Sequence, residues 1–186
     1  MDRFAKKVTW KKASLFTALF AVFYVLINYT GIGVAGLLQI TKGANILDFA
    51  FGYSAAEACD MLTALGLEGR AFYLTRILPL DFPFPFTYML CYAGWIALMG
   101  KYAAPKAAVK FLLAVPVLAM LFDWTENIGI LSMLINYPAL PALAAMTASI
   151  AGMLKRVFIL CSFAVIAILL LRIITLKVSR RHKPLW

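Results

Sequence analysis

A chain of 186 residues in which 64% are hydrophobic and only 14% charged lies far from the soluble norm of about half apolar and a quarter charged, so a water-soluble globular domain is excluded. The formal net charge of +10 does not make the chain a nucleic-acid binder, because its basic residues stand at the ends of apolar runs rather than along a polar face with aromatics between them. What remains is an all-α, polytopic membrane protein. Its cysteines, Cys59, Cys91 and Cys161, form no C-x-x-C pair and read as small core residues rather than zinc ligands or a dithiol.

The N-terminus carries Arg3, Lys6, Lys7, Lys11 and Lys12 and gives way to an uncharged run from Ala13 to about Leu38, long enough to span a bilayer. No small-x-small cleavage site follows, so the run reads as a retained span rather than a signal peptide. Within it, Gly31 to Gly36 fits G-x-G-x-x-G but follows no strand, and its glycines read as small residues for close helix packing. The sequon Asn28-Tyr29-Thr30 lies inside the run, out of reach of glycosylation.

Residues 39–82 form a connection too long to be a simple turn, which implies a folded outer loop. Ser54-Ala55-Ala56-Glu57 has the form of a capping box, opening a short helix that stops at Gly66. A second short helix is expected from Glu68 to Leu78, ended by Pro79, and both helices should lie at the membrane surface or dip among the spans. Further spans are expected at about 83–100, 107–137 and 142–174, with Lys101, Lys106 and Lys110 between the first two of these. Read as one helix, 142–174 would be about 50 Å long at 1.5 Å per residue, well over a ~30 Å hydrocarbon core. It is therefore expected to project, tilt or break, with its first half at or above the outer interface. Counting Lys and Arg puts 13 on the side of both termini and 5 on the other, so a four-helix bundle at the cell membrane with cytoplasmic N- and C-termini is expected.

The third span carries Asp123, Glu126 and Asn127 at i, i+3 and i+4, one face of a helix, at bilayer depth where an unpaired carboxylate costs about 2.5–3.5 kcal/mol or more. Asp81, Arg70, Arg76, Lys155 and Arg156 approach from the same outer side. A purely structural set of ion pairs locking the loop to the bundle is one reading. The other is a site, because intramembrane ionisable groups are functional by default. The single histidine, His182, stands in the basic tail, so histidine-based triads and histidine-ligated metals are unsupported. Two carboxyl groups one turn apart in a low dielectric cannot both ionise cheaply, which suits moving a proton on a lipid-like substrate or coupling protons to transport. In this reading Asp123 and Glu126 are the acid/base pair, Asn127 orients the ligand, Arg70 and Arg76 bind its anionic part, and Asp81 orients one of those arginines. Tyr73, Tyr88 and Lys155 complete the ligand-binding set. A hard cation on Asp60, Asp81, Asp123 and Glu126 is chemically conceivable, but no spacing rule supports one, and neither a metal nor a cofactor is assigned.

The expected function is the binding and modification of a membrane lipid or amphipathic small molecule in an outward-facing polar pocket. The alternatives are a proton-coupled transporter or channel component, which with four spans would need to form a homo-oligomer, and a non-catalytic assembly subunit.

The series Asp48 with Gly52-Tyr53, Gly69-Arg70 with Tyr73, Asp81-Phe82-Pro83 with Tyr88, Asp123-x-x-Glu126-Asn127 and Lys155 resembles a family of small, uncharacterised four-helix membrane proteins over about residues 45–156. The resemblance implies that the loop and the third span form one functional unit, and it implies no particular reaction.

Overall fold

The computed structural model describes residues 2–181, with side chains over 4–179, so His182 and Lys183 of the basic tail lie outside the described residues. The described residues form helices α1 (Asp2–Lys7), α2 (Trp10–Tyr29), α3 (Val34–Ile40), α4 (Ala55–Ala64), α5 (Gly66–Phe72), α6 (Leu78–Asp81), α7 (Phe84–Ala103), α8 (Lys106–Leu112), α9 (Ala114–Asn136) and α10 (Ala142–Arg181), and no strand. Four helical stretches are long and apolar enough to cross a membrane: Trp10–Ile40, Gly66–Ala103, Lys106–Asn136 and Ala142–Ser179. The chain is a multi-pass membrane protein built as an all-α bundle. The large side chains that α2 and α10 leave exposed, among them Val22, Val25, Leu160, Ile168 and Leu171, are those a lipid-facing surface requires.

The first apolar run is two helices rather than one. The chain turns sharply after Tyr29, and a Cβ placed on Gly33 or Gly36 would fall on the backbone carbonyl of Ile27 or Gly31. These glycines therefore close a turn within the chain instead of packing one span on another. The turn delivers α3 to the loop module, where Leu37 and Thr41 meet Gly69 of α5.

The long loop is folded around its own core of Leu37, Leu47, Leu62, Tyr73 and Ile77, which is continuous with Ile130 and Met133 of α9. The capping box forms: the Glu57 amide donates to Ser54 Oγ at 3.2 Å and the Ser54 amide to Glu57 Oε2 at 2.7 Å. Hydrogen bonding to its carboxyl from Ser54, the backbone amide first and then the side chain, holds Glu57 below its ordinary value. The support it lends α4 is therefore complete above the ordinary carboxyl pKa of 4.5 and fades as pH falls through the lowered value. Replacing Ser54 by Ala is expected to cost about 1 kcal/mol, confined to α4, and to raise amide exchange in its first turn. Exchange that stays unchanged there would mean that packing alone holds α4. Gly66, at φ +66°, then turns α4 into α5, a conformation that favours glycine.

Pro79 does not end a helix. Residues Tyr73–Ile77 form a π-helical turn in which the Leu78 amide reaches Tyr73 O, one residue further back than in an α-helix. The proline then sits in the first turn of α6, where its missing amide proton is no loss. The helical path consequently starts at Gly66 rather than Pro83 and reaches Ala103 with only a short turn at Phe82–Pro83.

In the bundle α10 lies along α9, α2 along α7, and α7 bridges to both α9 and α10. Gly129 permits a close approach of α9 to α10, since a Cβ there would stand 2.7 Å from Ala148 Cβ and 2.9 Å from Ala144 O. Helix α10 neither breaks nor lies loose over the interface. Its 40 residues are continuous, about 60 Å at 1.5 Å per residue, and Ala145, Ala148 and Ala151 of its first half are buried.

Candidate functional site

Helix periodicity puts Asp123, Glu126 and Asn127 on the face of α9 that meets α10, α6 and the loop, and all three are buried, at 3%, 1% and 0% exposure. Lys155 comes from α10 opposite them. Its Nζ donates to Asp123 Oδ1 at 3.2 Å and to Asp48 Oδ1 at 3.0 Å, and it lies 2.5 Å from Glu126 Oε2. Asp48 sits in a short 3₁₀ turn, Leu47–Phe49, that drops its side chain into the bundle at 8% exposure. The second oxygen of each aspartate has its own donor: Tyr73 Oη to Asp48 Oδ2 at 2.6 Å, and Tyr88 Oη to Asp123 Oδ2 at 3.0 Å. One ammonium and two phenols thus satisfy two carboxylates in a setting where unpaired charge would cost several kcal/mol.

Other polar groups in the cluster are left over. Neither oxygen of Glu126 receives a hydrogen bond in bonding geometry, although Oε2 is ion-paired with Lys155. Asn127 donates through Nδ2 to the carbonyl of Asp81 at 3.4 Å, and its Oδ1 has no partner. The Asp81 side chain, at 8% exposure, has no hydrogen bond or ion pair among the described residues, yet oxygens of Asp48, Asp81 and Asp123 all lie within 4.8 Å of one another. Glu126 reaches its place because residue 152 is glycine, as a Cβ there would intrude on the Glu126 carboxylate.

The loop around Gly52, at φ +101°, closes over the cluster. Gly52 rests against Met153 and Ser149, and the Tyr53 amide donates to Ser149 Oγ at 2.8 Å. Arg156 Nη2 donates to the backbone carbonyl of Asp48, which pins the 3₁₀ turn, while Arg156 Nη1 and Tyr53 Oη are buried donors without an acceptor. Burial first, then the nearby Glu126 and Asp48, pushes the Tyr53 phenol well up, so it stays protonated and able to donate.

Asp81, Asp123, Glu126, Asn127, Tyr73, Tyr88 and Lys155 therefore meet as one centre. Arg70 and Arg76 do not join it. Arg70 donates to Leu62 O at 2.8 Å and lies 3.8 Å over the ring of Tyr137, fastening the loop module to the end of α9. Arg76 is exposed and makes no ion pair among the described residues. Only Tyr73 and Ile77 of that stretch point inward, so Asp81 has no arginine to orient. Asp60 is likewise exposed, and Asp48 stands where a fourth acid was sought. Asp48 had a visible mark, as the one acid in the otherwise apolar Ile46–Phe51, but its place beside Lys155 depends on how the loop folds back.

Two cavities, of about 670 and 890 Å³, open at the opposite, lysine-rich end, where Lys101 lines both, away from this centre. No known protein family, characterised protein or solved structure matches the chain.

Proposed function

We propose that this multi-pass membrane protein binds an amphipathic, membrane-dissolved molecule at the carboxylate–lysine centre and moves a proton on it, with Glu126 as the group that carries the proton. The observation behind the reading is the state of Glu126: a carboxyl at 1% exposure whose Oε1 has no partner, while its Oε2 is ion-paired at 2.5 Å with a lysine shared with two aspartates. A carboxyl needed only for structure would be satisfied as Asp48 and Asp123 are. One held ready to exchange a proton keeps an oxygen open.

Lys155, Tyr73 and Tyr88 keep Asp48 and Asp123 fixed as a charged frame, and Asp123 shares the excess negative charge when Glu126 gives up its proton. The anion-binding role falls to Arg156 rather than to Arg70 and Arg76: its spare Nη1 and the Tyr53 hydroxyl are donors to a polar headgroup. Phe49 and Phe51, exposed beside them, suit the apolar part. Along α10, Lys155 and Lys177 are 22 residues apart, about 33 Å, close to the ~30 Å thickness of a hydrocarbon core. The centre then lies near one membrane boundary, where a headgroup resides. With the Lys and Arg asymmetry, that boundary is the outer face of the cell membrane and the termini are cytoplasmic.

The test compares wild type with Glu126→Gln, nearly the same shape without the exchangeable proton. Lipid extracts of cells carrying each form, with native mass spectrometry of the purified proteins, should show one amphipathic species retained by both and converted only by wild type. Turnover should fall about 10²–10⁴-fold in the variant with little change in melting temperature. Equal conversion by both forms would remove Glu126 from the chemistry. Lipid profiles indistinguishable from cells lacking the protein, with no retained species, would refute the reading as a whole.

A further inference from the structure

Four carboxyl groups, of Asp48, Asp81, Asp123 and Glu126, face two cationic side chains, Lys155 and Arg156, so full ionisation would leave two negative charges in excess. Lys155 compensates the Asp48, Asp123 and Glu126 side and leaves Asp81 unpaired. On that side the neutral oxygen of a fully buried asparagine, Asn127 Oδ1, also has no donor, while its own Nδ2 is anchored to the Asp81 backbone. The side chain anchored to the Asp81 backbone thus carries a fully buried amide oxygen without a donor, and the buried Asp81 carboxylate has none either, so both call for a positive group.

We propose that Asp48, Asp81 and Asp123, together with Asn127 Oδ1, form a binding site for one divalent hard cation. All the donors are oxygens, the set that suits Mg²⁺, Ca²⁺ or Mn²⁺ and does not suit zinc or copper. Oxygen–metal bonds of about 2.0–2.6 Å place ligand atoms on opposite sides of an ion roughly 4–5 Å apart, and the three carboxylates already present oxygens within 4.8 Å of one another. Tyr73 and Tyr88 fix Asp48 and Asp123 by donating to one oxygen of each, as groups behind metal ligands do. Lys155 stays beside the ion as a partner of the same aspartates, and the ion's two charges match the excess. The charge count takes Glu126 in its ionised form, but Glu126 is neither a ligand of this site nor changed in its test, so the two readings fail separately.

Full-length protein in lipid nanodiscs, stripped with chelator and titrated with Mn²⁺ under electron paramagnetic resonance, is expected to bind one Mn²⁺ per chain, displaced by Mg²⁺ or Ca²⁺. Asp81→Asn is expected to weaken that binding at least tenfold while the metal-free protein melts within a few degrees of wild type, since this side chain gives up no hydrogen bond. Asp60→Asn, on an exposed carboxylate, is expected to bind as wild type does. Absence of bound Mn²⁺ at millimolar concentration, or binding that Asp81→Asn leaves unaltered, would overturn the site. So would binding that Asp60→Asn abolishes, because the ion would then be held on the surface.

Discussion

Lys155→Met is expected to destabilise the protein by about 3–5 kcal/mol, the cost of removing one partner from a buried set of charges. Methionine replaces the aliphatic stem, so little packing is lost and the effect isolates the ammonium. Asp48 Oδ1 and Asp123 Oδ1 lose their shared donor at once, and Glu126 loses its nearest positive charge. The same substitution in an Asp123→Asn background should cost clearly less than in wild type, because residues of one network do not contribute additively. Thermal or steric-trapping stability in detergent, measured over the four forms of that cycle, reads both numbers. A loss below about 1 kcal/mol would place the centre in water, where ion pairs contribute that little.

The second large effect is expected at Gly129→Val. Residue 129 faces Ala148 and the Ala144 carbonyl on α10, and a Cβ alone would stand under 3 Å from both, on backbone and a short side chain that cannot swing away. Two further methyl carbons would prise α9 from α10 at the level just outside Glu126. The expected cost is about 3 kcal/mol, at the upper end for overpacking a tight interface. It should come with lost ligand retention, since the same separation draws Lys155 away from Glu126. Cysteine pairs introduced across α9 and α10 and scored for cross-linking would check the displacement directly. Undiminished cross-linking with wild-type stability would show that the helices have slack at this point.

The parts of the site that were legible in the sequence are those fixed by local geometry. Asp123, Glu126 and Asn127 share a face because 3.6 residues make a turn, and their cost in an apolar run marks that face whatever the tertiary structure. Ser54 and Glu57 are legible for the same reason. The arginines were not, because counting charges on one side of a membrane says nothing about which way a side chain points. Arg70 is turned toward Tyr137 and Leu62 by the packing of α5 on α4, and Arg76 faces out. Asp48 needed the fold of a loop whose contacts run to residues about a hundred positions away, with Lys155 and Arg156. Pro79 misleads because a single π turn absorbs the missing hydrogen bond, so a breaker by propensity lies within a continuous helical path. The break in the first apolar run is the converse case: no proline marks it, and only the crowding of carbonyls against Gly33 and Gly36 shows why the chain turns there.

The order of residues along the chain gives the Lys155 pairing a consequence for biosynthesis. Synthesis runs from the N-terminus, so α9 leaves the ribosome with Asp123 and Glu126 before any of α10 exists to neutralise them. A carboxylate in an apolar span costs up to about 2.5–3.5 kcal/mol to take into a bilayer without a partner, and α9 carries two. Only 137–141 separate α9 from α10, and α10 is the most apolar of the four spanning stretches. The two helices are therefore expected to enter the membrane as a hairpin, with α10 supplying both the hydrophobic pull and the lysine that neutralises α9. Truncation before residue 155 is therefore expected to lower the membrane insertion of α9 itself, read by protease protection of the nascent chain, and not merely to remove the centre.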